Sequence, residues 1–278
     1  VQGVMGRYYA LQSGEDPVVA EAIYEHYLPR FAGDELPQSV PGILIALADR
    51  LDSLVGLFAV GLAPTSTTDR YGLRRTALGL AQILVGRQLD LSLAEAVRVA
   101  ARLAPVEVSE VQLDEVADFI VQRLRVWLLD SGFRYDLVDA ALSARGDNPH
   151  RAYQTLTALA AWVEREDFGR ILTAYSRPSR IVRDQAEVLP LDPSRFTMTA
   201  ERRLYEAYRR AEQAMASVDD VDGLFAVLAE LAGPIDAFFA DVFVMVEDKA
   251  IRDNRLALLQ RIAALPQGIV DLTRVQGY

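Results

Sequence analysis

Apolar residues recur at helical spacing along almost the whole chain, and stretches that alternate apolar with polar are scarce. Such a chain can bury its apolar faces only helix against helix, so an all-α protein is expected. Its 278 residues suffice for one or two cores, with length favouring two domains. No uninterrupted apolar run reaches the roughly 18 residues of a membrane span, which excludes one at this level of reading. There is no cysteine. Disulfide scaffolds, zinc ribbons and thiol nucleophiles are therefore excluded, and an intracellular compartment is favoured.

Pro17–Tyr27 reads as a helix capped by Asp16, with proline in the favoured first position. Ile43–Phe58 is apolar nearly all round, as a central buried helix would be. Further helices are expected over Arg70–Gly86, Ser92–Leu103, Val111–Leu129, Asp136–Ser143, His150–Glu166 and Phe168–Val182. Glu201–Ser217, Val221–Leu231, Ile235–Val244 and Lys249–Leu265 complete the set. Pro105 and the acidic VEVSEVQLDE mark the expected domain boundary, giving domains 1–110 and 111–278. Val1 is no initiator methionine, and VQGVMGRYYA lacks the pattern of a signal peptide, so a piece of a longer protein is expected.

Lys249 is the single lysine; it lies in EDKAI, and no GxxxxGK loop followed by Ser or Thr occurs, which excludes a P-loop nucleotidase. Asp49 and Asp52 in ALADRLDSL, three residues apart, share a helix face beside the stripe Leu47, Leu51, Leu54 and Phe58. They suit metal ligation or acid–base work, and equally an anchoring pair with Arg30 or Arg50. His26 follows Ala22 and Ile23 on an apolar face and reads as a hydrogen-bonded core residue. His150 reads as a surface residue, and two histidines so far apart complete no multi-histidine metal site.

The second half offers arginines. Arg123 and Arg125 flank the apolar arc of VQRLRVWLL, Arg134 and Tyr135 lie in FRYD, and Arg177 and Arg180 lie in SRPSRIVR. Such groups suit phosphate contacts and base stacking, or a solvated charged face. In KAIRDNRLALLQRI, Arg255 projects into the apolar stripe Ile251, Leu258, Leu259 and Ile262. A buried arginine must be paired, with Asp236 or Asp241 the expected partner, so Arg255 reads as an interhelix clamp before a ligand contact.

Taken together, QGVMGRYYALQSGED, VAEAIYEHYLPRFAGDELP, ALADRLDSLVGLFAVGLAPTSTTDRYGLRRTALG and PIDAFFADVFVMVEDKAIRDNRLALL resemble, in order, the β subunit of the bacterial heterotetrameric glycyl-tRNA synthetase. The resemblance implies roughly the C-terminal two fifths of that subunit, as an HD-like helical domain followed by a DALR-type anticodon-binding bundle. His26 in EHY and Asp49 and Asp52 in LADRLD look like remnants of the HD pattern, whose earlier ligands would lie before Val1. That implies a scaffold or tRNA contact surface, with no catalytic residue and no metal in this chain. In the DALR-like part, Arg123, Arg125, Arg134, Tyr135, Arg177, Arg180 and Arg252 are the candidate tRNA contacts, and Arg255 is structural or tRNA-binding. Ser176 and Arg180 stand where the family carries lysine and asparagine.

The function so implied is recognition of glycine tRNA in the cytoplasm, within an enzyme, expected as α2β2, whose α subunit uses ATP and Mg²⁺ to attach glycine. An HD-type phosphohydrolase fragment and a helical protein-interaction adaptor are the alternatives. The net charge of −10 argues on its face against a nucleic-acid partner. Its distribution does not: residues 70–103 carry six arginines against two acids, and residues 121–183 ten against seven. A basic face on an acidic body favours one docking orientation of a polyanion.

Overall fold

A computed structural model describes residues 3–278. Among them are twelve α-helices and no strand, as the periodicity requires. The chain divides into two compact units. The first runs to Phe133 and includes Arg145–Tyr153; the second comprises Arg134–Ala144 and Gln154–Tyr278.

The first unit contains α1 (Val4–Gln12), α2 (Pro17–Glu25), α3 (Val40–Ala59), α4 (Leu73–Gly86), α5 (Leu93–Leu103) and α6 (Glu110–Asp130). Asp16 caps α2 by accepting from the Val18 amide at 2.8 Å, with Pro17 following it. Ser109 and Gln112 form a capping box at the start of α6. Gln112 also donates to the carbonyls of Phe58 and Ala59, closing the end of α3. Leu54, Phe58, Leu80, Leu84, Val97 and Ile120 form the centre of the core. Burying each such side chain contributes on the order of 1.5–3 kcal/mol.

Helix α3 departs from the sequence expectation, because it is not buried all round. Val40, Leu44 and Ile45 are exposed. Its fully packed stripe is Ala46, Arg50, Leu54 and Phe58, a four-residue repeat that brings an arginine inside, while Leu47 and Leu51 are only partly covered.

The second unit is built on α9 (Phe168–Val182), α10 (Thr199–Met215), α11 (Val221–Asp241) and α12 (Lys249–Ala263). Helices α7 (Tyr135–Arg145) and α8 (Pro149–Val163) supply residues to both units. Helix α11 packs on α9 and α10, and α12 on α9. Phe225 lies between Trp162 and Phe168, with ring centroids 4.8 and 5.5 Å away. The Trp162 indole N–H donates to Asp222 at 2.6 Å, so its one polar atom is satisfied.

The Gly233–Pro234 pair does not split α11 into the two helices the sequence suggests. Proline removes one helical N–H, but Leu231, Ala232, Ile235 and Phe238 are buried on either side of it, and that packing holds the helix through. By length and composition alone α11 could cross a membrane, a capacity that counting uninterrupted apolar runs does not detect. In the fold its large apolar side chains, Phe239 apart, are buried, and the helix packs against α9 and α10.

Candidate functional site

In the second unit, α9 turns Phe168, Ile171, Leu172, Tyr175 and Pro178 into the core. Arg170, Arg177 and Arg180 recur at intervals of seven and three, so they share the opposite face, and all three are exposed. Arg177 donates to Asp236 at 3.2 Å and lies over the Phe239 ring at 4.7 Å. The Arg180 guanidinium lies 5.6 Å from the centre of the Tyr278 ring. Both are cations held on aromatic faces with their outer edges in solvent, a form suited to phosphate.

The other arginines are engaged differently. Arg134 binds Asp136 in a two-pronged contact at 3.1 and 2.7 Å, and Asp136 also accepts the Gln276 amide. Burial alone would raise the Asp136 carboxyl, but that amide and Arg134 hold it below the usual carboxylate value. Tyr135 is exposed beside them. Arg252 donates to the Val246 carbonyl at 3.2 Å. In the first unit, Arg123 on α6 is half-buried, its Nε has no hydrogen-bond partner, and its guanidinium lies over Phe119. Arg125 is likewise half-buried on α6.

Arg255 is buried, as its place in the apolar stripe requires, but neither Asp236 nor Asp241 is its partner. Its Nε donates to Glu201 at 2.5 Å and its Nη1 to the Phe243 carbonyl at 2.8 Å. Asp236 is instead paired with Arg177. Burial would raise the Glu201 carboxyl. The Met198 amide, Arg255 and the Thr197 amide outweigh burial and keep it below its ordinary value.

The histidine and aspartates of the first unit do not converge. His26 caps the end of α2, with its Nδ1 2.7 Å from the Ile23 carbonyl. Together with exposed Asp49 it lines a polar cavity of about 260 Å³ that also contains Arg30, Arg50, Tyr71 and Arg75. Asp52 lines a separate apolar groove beside Leu51, Leu91 and Val99. Among the described residues no group of three histidines or carboxylates is placed to share a metal ion. His150 is half-buried rather than on the surface, and its Nδ1 is buried with no hydrogen-bond partner.

Of two buried polar residues here, Glu25 escaped sequence reasoning, while neither Arg50 nor Arg30 hydrogen-bonds Asp49 or Asp52 as the sequence suggests: Arg30 pairs with Asp34. Arg50 is buried and donates to the carbonyls of His26, Leu28 and Pro29 on the connecting loop, and to Ala46 on its own helix. Burial holds its guanidinium below the usual arginine value. Glu25, also buried, accepts the amides of Gln38 and Ser39 and the Ser39 hydroxyl. The available signals were the four-residue repeat on α3 and the polar residue ending α2.

Residues 1–143 match the family model described as the glycyl-tRNA synthetase beta subunit, and residues 171–272 match the DALR anticodon binding domain. The chain belongs to the glycyl-tRNA synthetase beta subunit family. It is 42% identical over 282 residues to the glycine–tRNA ligase beta subunit of Desulforudis audaxviator, and 41% identical over 288 residues to that of Moorella thermoacetica. In both cases 99% of the chain aligns with 41% of the relative. It is also 39% identical to the chloroplastic/mitochondrial glycine–tRNA ligase 2 of Arabidopsis thaliana, aligning over its whole length with 26% of that protein. The chain thus spans well under half the length of these relatives. Arg177, Arg180, Arg252 and Arg255 lie in the span matched by the DALR domain; Arg123, Arg125, Arg134 and Tyr135 lie in the span matched by the beta subunit.

Proposed function

We propose that the chain is a tRNA-binding portion of a glycyl-tRNA synthetase β subunit, gripping glycine tRNA while an α subunit attaches glycine with ATP and Mg²⁺. The observation that carries this reading is the coincidence of the anticodon-binding match at residues 171–272 with the exposed arginines of α9. The chain's share in the reaction is then to bind and orient: Arg177 and Arg180 meet backbone phosphates, while the acidic remainder repels other approaches. In the first unit we infer an HD-like scaffold that supports tRNA binding and carries out no hydrolysis. His26 spends one ring nitrogen on a backbone carbonyl, and Asp49 and Asp52 line different cavities.

The test is a binding titration against glycine tRNA at several salt concentrations. The affinity should fall steeply with salt, because phosphate contacts release counterions. Arg177→Ala should weaken binding to glycine tRNA and reduce the slope by about one. Absent or salt-independent binding would overturn the reading.

A further inference from the structure

Between α11 and α12 the chain leaves the helix at the extended Val242 and then bends, with burial alternating from Val242 to Met245. Val242 and Val244 point inward and are buried, while Phe243 and Met245 point outward at 75% and 51% exposure. Large apolar side chains left in solvent on this connection need an explanation, because the second unit covers its other phenylalanines wholly or in part.

The mount beneath Phe243 is rigid. Arg255, fixed by the buried Glu201, donates to the Phe243 carbonyl, and Arg252 holds the Val246 carbonyl three residues on. The same Arg255 guanidinium meets the Met198 sulfur at 3.8 Å, so a second exposed apolar side chain borders the ring's support. The flanking residues Asp241, Glu247 and Asp248 are acidic and keep the phosphate backbone off this strip, so the ring is open only to a base splayed away from its backbone.

Building on the tRNA reading, we propose that Phe243 is a stacking platform for an unpaired base of the bound tRNA, with Met198 and Met245 as its apolar border. Unpaired bases are recognised by stacking on aromatic side chains, and an aromatic ring accepts any base through its π face. The arginines of α9 supply the salt-dependent grip; Phe243 supplies a salt-independent contact. The role of Arg255 is then positioning, through the carbonyl of the residue it presents.

The test uses the full chain, a glycine tRNA transcript and its isolated anticodon stem–loop. Phe243→Ala should weaken binding about 5- to 100-fold with an unchanged salt slope and an unchanged melting temperature, since the ring is exposed. Phe243→Trp should bind as well as the unaltered chain, and Phe243→Leu should behave like alanine. Unaltered binding by Phe243→Ala, in a chain that does bind tRNA, would overturn the platform and leave the tRNA reading intact. That outcome would fit a protein partner on this patch. Equal binding by the leucine and tryptophan variants would likewise exclude stacking. If the unaltered chain binds neither RNA, both readings fall.

Discussion

Among the described residues each unit buries one arginine, and the two are compensated in opposite ways. Arg50 in the first unit is hydrogen-bonded to neutral carbonyls, most of them from the loop between α2 and α3, and no carboxylate bonds to it, though exposed Asp49 lines the same cavity. Arg255 in the second faces the carboxylate of Glu201, whose side chain is 1% exposed. The carbonyl cage leaves a net charge inside and uses it to fix a loop. The ion pair cancels the charge and joins two helices, α10 and α12. Burial of an arginine therefore does not by itself indicate a salt bridge, and the two arrangements should fail differently.

The largest effect is expected at Arg255. Arg255→Met strands a buried carboxylate and should destabilise the protein by about 3–5 kcal/mol, read from urea unfolding. Adding Glu201→Leu should recover only part of the loss, because it also frees the Thr197 and Met198 amides that Glu201 accepts; Arg255→Met and Glu201→Leu losses that simply add would mean that the pair itself contributes nothing. Arg50→Met leaves only neutral acceptors unsatisfied, some within reach of water, so a smaller loss of about 2–3 kcal/mol is expected. Arg50→Lys should not restore it, because an ammonium has too few donors to replace the guanidinium fork.

Acid separates the two further. Glu201 has a lowered folded-state pKa, so its contribution is present above its ordinary value of 4.5 and is lost as pH falls through the folded value. The Arg50 cage has no proton to gain in that range. On the loop that follows the cage, Arg30 holds the Asp34 carboxyl down at about 2, so the contribution of that pair is lost only between 3.8 and about 2. Hydrogen exchange followed from pH 6 downward should show α10 and α12 losing protection before α2 and α3; the reverse order would contradict this assignment. The smallest effect on stability is expected at the exposed Arg177–Asp236 pair, under about 1 kcal/mol on Arg177→Ala, even where binding to tRNA suffers.

The sequence was most legible where the signal is local. Asp16 followed by Pro17 announces the start of α2, and the apolar repeat of α9 delimits Phe168–Val182 to the residue. The burial of Arg255 follows from its place in the stripe of α12. Its partner does not, because Glu201 lies 54 residues away and nothing local ranks it above Asp236 or Asp241. Gly233–Pro234 is a strong local stop that tertiary packing overrides. The short helix α1 gave no signal strong enough to be read. SRPSRIVR marks Arg177 and Arg180 as candidates but not Arg170 on the same face, and the exposure of Phe243 could not be read: VFVM reads the same whether it is a helix end or a connection.

The buried charges of the first unit also depend on absent volume. A Cβ at Gly79 on α4 would lie 2.9 Å from Arg50 Nε, and one at Gly42 on α3 would collide with the Glu25 carboxylate. Each helix forgoes about 1 kcal/mol of helix propensity by carrying glycine rather than alanine at that point. The concavity that results is the space in which the charged side chain lies. Arg50 and Gly79 are thus one structural unit written at two places in the chain, and a methyl group gained at the second forces the first to shift.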